Sequence, residues 1–248
     1  MAVVANNSAA SPKRSPEPAS STAQRSRTGA EAARYGVLRR LGPALKHDMV
    51  VNLQAIAMMA EVMNARLDRG APDPADFQAS VSKLNRLARD AVANCLKVAE
   101  WIEPGEDEGV KLCDGVAECI DLLRSNFNFR GFEVDSDCPD TAFQVSRVVL
   151  RNLLVASLIT LTDAVSGPCR VQVKAQVEGQ AALVSVRTAP RDDEFEGLPF
   201  EASYRQLDWA DVQALALAEG VELVRGDEWI TLRMPRHLAT APLQIAPH

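Results

Sequence analysis

Apolar residues recur at spacings of three and four through Leu38, Leu41, Leu45, Met49, Leu53, Ile56, Ala60, Met63 and Leu67, then again through Phe77, Val81, Leu84, Ala88, Ala91, Cys95, Val98 and Ile102. A period near 100° per residue held over such lengths predicts two long amphipathic helices. The first is expected over 30–69. It should kink or begin afresh at Gly42 and Pro43, because proline has no N–H for the bond one turn back. Gly70 ends it. Asp73 caps the second helix, with Pro74 at its first position and Asp76 near its positive end. A connection of only a few residues makes the pair an antiparallel hairpin.

A hairpin of this length cannot cover both of its own apolar stripes. The economical solution is a second copy, which gives a homodimer built on a four-helix bundle with twofold symmetry. The alternative is that the helices bury their faces against the C-terminal half of the same chain.

After the acidic linker 104–108 the pattern changes. Residues 113–127 read as a helix, 132–135 as a short strand and 142–164 as a long apolar helix. Strands are expected at 170–177 and 181–188, turning through Glu178, Gly179 and Gln180. A helix at 208–219 and strands at 221–224 and 229–234 complete the series. Helices and strands mixed in this order predict an α+β chain, a helical hairpin followed by an α/β sandwich with its helices on one face of a mixed sheet. The expected organisation is a disordered tail (1–29), a hairpin (30–104), a sandwich (110–236) and a C-terminal extension (237–248).

Charge and composition remove several function classes. Lys13, Arg14, Arg25 and Arg27 against Glu17 give the first 29 residues about +3, leaving about −9 on the rest of a chain whose net charge is −6. That balance argues against a nucleic-acid surface on the folded part. The apolar run 148–161 is broken by polar residues and falls short of the ~20 residues a bilayer requires, and the tail has no block that would serve as a signal sequence. The expectation is a cytoplasmic protein without a membrane partner. The five cysteines, Cys95, Cys113, Cys119, Cys138 and Cys169, form no CxxC pair and read as reduced thiols, mostly core fillers, offering no zinc site. Asp163, Asp192, Asp193 and Glu194 read as solvated acids rather than a metal cluster.

His47 is the only histidine inside the helical pattern; His237 and His248 lie in the C-terminal extension and receive no role. It falls about 180° from the centre of the apolar stripe, so burial of the leucines holds its imidazole in solvent. Asp48 follows it. Val50, Val51, Gln54 and Met58 nearby make a face of apolar and adaptable character, a dock for a partner rather than an idle charged surface.

The order of hairpin, acidic linker and sandwich resembles the core of sensor histidine kinases over about residues 36–236. Leu45, Lys46, His47, Asp48 and Leu53 resemble the family's phosphoacceptor box, although Val50 stands where a basic residue is usual and Asn52 where proline is. The segment 149–162 resembles the family's nucleotide-binding helix, with Ala156 at the position of the asparagine that holds magnesium. Alanine has no oxygen for a metal. Thr188, Ala189, Pro190 and Arg191 replace an Asp-x-Gly-x-Gly loop, and Gln206, Leu207, Asp208, Trp209 and Ala210 replace a second glycine-rich loop. A histidine kept while three nucleotide elements are lost is similar to the ChpT-like histidine phosphotransferases.

That resemblance implies a phosphorelay protein that passes phosphoryl groups between response-regulator receiver domains through His47, with Asp48 orienting the ring. An exposed imidazole, at a reference pKa of about 6.5, is mostly neutral at pH 7 and accepts phosphoryl groups well. No cofactor is implied for this chain, since the receiver brings its own magnesium. Two other readings compete: a divergent ATP-dependent histidine kinase, and a non-catalytic pseudokinase module that only binds a response regulator.

Overall fold

The computed structural model describes residues 19–70, 73–102, 108–165, 167–191 and 205–238. Helix α1 runs unbroken from Ala19 to Asp68 and α2 from Pro74 to Ile102. The stretch 19–29, expected in a disordered tail, is therefore helical, while 1–18 lie outside the described residues. The reason is tertiary. Ala30 and Ala33 are fully buried, and a Cβ on Gly29 would stand 3.4 Å from Ala214 in the second half of the chain. Packing of this kind holds helix that local propensity alone leaves marginal. The helix also continues through Pro43, whose ring lies exposed, so the missing N–H removes a bond without ending the element. At the start of α2 the carboxylate of Asp73 accepts from the N–H of Ala75 at 2.7 Å, as a cap should.

The second half comprises β1 (Gly109–Lys111), α3 (Leu112–Phe129), β2 (Glu133–Asp137), β3 (Gln144–Ser146), α4 (Arg147–Asp163), β4 (Cys169–Glu178), β5 (Ala181–Pro190), α5 (Trp209–Ala218), β6 (Glu222–Arg225) and β7 (Trp229–Pro235). A five-stranded sheet has the order β2-β4-β5-β7-β6, with β2 parallel to β4 and the other neighbours antiparallel. Alternation decides its faces. Val171, Val173, Val184, Val186, Ile230 and Leu232 point into the core, while Arg170, Gln172 and Lys174 face water. The fold is α+β, as the pattern predicts. The long helix expected from 142 instead opens at Arg147, because 144–146 pair with β1 in a small antiparallel ladder. Ser146 marks the switch, its hydroxyl accepting from the N–H of Val149 at 3.1 Å.

The reading of the cysteines is corrected at one pair. Cys113 and Cys138 form a disulfide, with α-carbons 5.6 Å apart, instead of standing as reduced thiols; the fold brings the start of α3 against the chain leaving β2. Spacing in the sequence carries no sign of that approach. Cys119 and Cys169 are buried core residues, as read, and Cys95 is exposed.

The hairpin and the sandwich also share a core. Val37 and Leu41 join Ala30 and Ala33 in one apolar cluster with α3, α4, α5 and the sheet. The first half of α1 is thus a fourth helix of the sandwich, and its second half pairs with α2. Burial against the C-terminal half of the same chain therefore covers the first half of α1. No helix among the described residues is long and apolar enough to cross a membrane.

Candidate functional site

His47 lies just beyond the stretch of α1 that the sandwich covers. Its side chain is 75 % exposed, and Nδ1 stands 3.4 Å from Oδ1 of Asp48. Val51, Gln54 and Met58 are exposed within roughly 40° of the same azimuth at 100° per residue, Met58 at 65 %. These three share the face of His47. Val50 is exposed too, but lines a different feature, an apolar groove of about 410 Å³ formed with Leu38, Leu45, Met49, Leu53 and Val98. That groove is the part of the predicted stripe that α2 leaves uncovered, and Leu53 within it is 54 % exposed.

On the other side of His47 opens a cleft of about 370 Å³ between hairpin and sandwich. Ala44 and Asp48 of α1, Asn94 and Trp101 of α2, Leu122 of α3, and Arg151 of α4 are among its walls. Arg151 donates to the carbonyl oxygen of Glu100 at 2.8 Å and to its carboxylate at 3.2 Å, and stacks over the Trp101 ring at 4.5 Å. Burial lowers the Arg151 pKa and Glu100 opposes that shift. Arg147 spans to both carboxylate oxygens of Glu118 at 3.1 Å. The sequence reading missed this cleft, because its residues come from four elements with no common motif.

The positions that the resemblance sets against nucleotide-binding elements are placed as follows. Ala156 is buried at 0 % exposure in the middle of α4. At the end of β5, Thr188, Ala189 and Pro190 remain in the ladder with β4, and the Thr188 N–H donates to the carbonyl of Glu228 at 2.9 Å. The N-terminus of α5, where backbone donors would meet phosphate, is closed by carboxylates. Asp208 accepts from the N–H of Asp211, whose own side chain accepts from the N–H of Asp208 at 2.9 Å. Leu207, just before it, is buried against Gly36 of α1. One signal for this contact stood in the sequence: Gly29, Ala33 and Gly36 put small residues on one strip of α1, where another helix can approach closely.

Asp163, read as a solvated acid, is instead 6 % exposed and paired with Arg40 and Arg130. Asp192, Asp193, Glu194 and His248 lie outside the described residues. His237 donates its backbone N–H to the carbonyl of Gln144 at 2.9 Å, far in sequence from His47.

No family model matches the chain, and no curated relative matches it. Among solved structures it is similar to the Acinetobacter baumannii histidine kinase AdeS, at 16% identity over 75% of this chain and 98% of that one, with a TM-score of 0.41. A histidine kinase from Burkholderia phymatum STM815 is 18% identical over 82% of this chain and 98% of its own, with a TM-score of 0.40. The histidine kinase ThkA, in a complex with the response regulator protein TrrA, is 14% identical over 90% of this chain and 68% of its own, with a TM-score of 0.39.

Proposed function

We propose that the chain is a dimeric histidine phosphotransferase of the ChpT-like kind, carrying a phosphoryl group between response-regulator receiver domains through His47. The observation that carries this reading is the pairing of an outward His47 with a sandwich that has Ala156 sealed in its core. Carboxylates at the α5 N-terminus add support, since they occupy the donors that phosphate would need and repel its charge.

In the proposed step the lone pair of His47 Nε2 attacks phosphorus of the receiver's aspartyl phosphate. The new N–P bond forms as the P–O bond to the aspartate breaks, and the carboxylate leaves with the bonding electrons. Magnesium held by the receiver offsets the charge on the transferring group. In this step Asp48, whose Oδ1 stands 3.4 Å from Nδ1, favours the tautomer with the proton on Nδ1 and the lone pair on Nε2. Val51, Gln54 and Met58 hold the receiver, and positioning supplies most of the rate. Two copies would close the groove around Leu53 and Val98, an apolar surface that soluble monomers rarely leave open.

The test is incubation with a phosphorylated receiver domain and magnesium, without ATP. Label on His47 that returns to a second receiver supports the reading. Label taken from ATP with no donor protein present would replace it with the kinase.

A further inference from the structure

Helix α4 touches both legs of the hairpin through charged side chains, buried at one contact and partly exposed at the other. Near its C-terminal end, Oδ1 of Asp163 accepts from Arg40 of α1 at 2.8 Å and from Arg130, at the end of α3, at 2.6 Å. The side chains of Arg40 and Asp163 are each 6 % exposed. Arg130 also donates to the carbonyl of Thr162 at 2.8 Å and lies over the Phe132 ring. Near its N-terminal end, Arg151 holds Glu100 and Trp101 at the end of α2. Arg151 and Asp163 are separated by about 18 Å at 1.5 Å rise per residue, so one rigid rod grips the hairpin at two distant points.

We propose that α4 acts as a bracket, in which Asp163 through Arg40 and Arg151 through Glu100 and Trp101 are positioning residues that fix where His47 is presented to its partner. The proposal rests on the phosphotransfer reading for its kinetic consequence. Arg40 and His47 stand two helical turns apart on the same face of α1, so the azimuth of one sets that of the other. A rotation of α1 by about 20° would move a side-chain tip about 6 Å from the axis by about 2 Å. Misplacement on that scale is costly for in-line transfer. Gly42 and Pro43 lie between the two residues, and the turn they weaken could bend. The second grip, on α2, removes that freedom, because the hairpin can pivot only if both anchors yield. Loops carry neither anchor; at one, Asp163 accepts from two arginines, and at the other Arg151 holds both Glu100 and the Trp101 ring, which restricts direction as well as distance.

The experiment uses the full chain with Arg40→Gln and Arg151→Gln. Arg40→Gln leaves the Arg130 and Asp163 pair intact, so no buried carboxylate is orphaned, and Arg40→Lys tests rescue by charge alone. Arg233→Gln, on the outer face of β7, is the control. Spin labels on the exposed thiol of Cys95 and on a cysteine introduced at Gln176 of β4 report the distance between hairpin and sandwich.

Both test variants should broaden that distance distribution. They should also lower kcat for transfer from a phosphorylated receiver about tenfold or more, with KM changed within about twofold, because the dock is intact and only presentation is lost. Arg40→Lys should recover part of both, and Arg233→Gln should match the unaltered protein. A distribution of unchanged width in both variants, or a broadened one with unchanged kcat, overturns the proposal. If the unaltered protein transfers nothing, the phosphotransfer reading fails, and the distance widths alone decide whether α4 is a bracket.

Discussion

A Cβ built on Gly36 would stand 2.8 Å from Cδ2 of Leu207, so α1 and the segment before α5 meet at a distance that only glycine leaves free. The sequence resemblance sets Leu207 in the segment that would correspond to a glycine-rich phosphate loop. In this chain that place is an apolar contact with its own first helix. Gly36→Ala should be nearly neutral, since a leucine tip can shift and alanine favours helix. Gly36→Leu should cost about 1–3 kcal/mol by overpacking, and Leu207→Ala about 2–5 kcal/mol by leaving a cavity. Urea denaturation monitored by tryptophan fluorescence checks all three; equal effects for alanine and leucine at position 36 would rule out the contact.

Nucleophile and dock should separate. His47→Ala is expected to abolish phosphotransfer while leaving receiver affinity nearly unchanged, because Val51, Gln54 and Met58 remain. Met58→Asp should weaken association by about 1–3 kcal/mol with the imidazole still competent. Titration calorimetry beside a transfer assay reads both quantities. Loss of all binding in His47→Ala would show that the histidine is part of the anchor.

The groove around Leu53 should be the dimer seam. Sedimentation of the unaltered protein is expected to give a dimer, and Leu53→Asp a monomer or a weakly associating species, since a carboxylate buried there without a partner costs several kcal/mol. The same residue is exposed within one chain, so a fold defect is not the expected outcome. A monomeric unaltered protein would mean that the groove has another occupant.

Thiol chemistry should divide the cysteines by burial. Burial pushes the Cys119 thiol up to about 12 and the Cys169 thiol to about 11, against an ordinary 9.0. Native protein under non-reducing conditions should therefore react quickly with iodoacetamide at Cys95 alone. A thiol whose pKa is raised in the native state contributes stability that is complete below pH 9.0, where both states are protonated. That contribution is lost as pH rises toward 11 and 12, because the unfolded thiols ionise first. Thermal melts across that range should fall, and should fall less in Cys119→Ala when each is compared with its own value at pH 8.

Cys113 and Cys138 close a loop with a sequence separation of 25. In the chain-entropy account a bridge of that span stabilises by about 3 kcal/mol. Reduction, or Cys138→Ser, should lower the unfolding midpoint accordingly, and mass spectrometry of the non-reduced protein should show the linked peptides. An unchanged midpoint on reduction would mean that the bridge adds nothing to the native state.

Periodicity made the hairpin and the strand pairs legible, because a helix or strand repeats one local geometry and the sequence repeats with it. The exposure of His47 has a different cause from its offset to the leucine stripe: it lies past the stretch of α1 that the sandwich covers, whereas Arg40, two turns earlier on the same face, is buried. Other features were not visible in that way. Ser146 ends a short strand and caps α4, yet nothing in the apolar run that follows marks where pairing with β1 stops.

What the sequence alone determined, then, is what depends on neighbours along the chain: element type, the apolar faces and the histidine's azimuth. Only the tertiary structure decided which surfaces meet. It put the first half of α1 into the sandwich core, joined Cys113 to Cys138, and buried Asp163 between Arg40 and Arg130. The physical reason is that each of these contacts links residues far apart in the chain. Their energy comes from burial and ion pairing that exist only once the sheet, α3, α4 and α5 have fixed the distances.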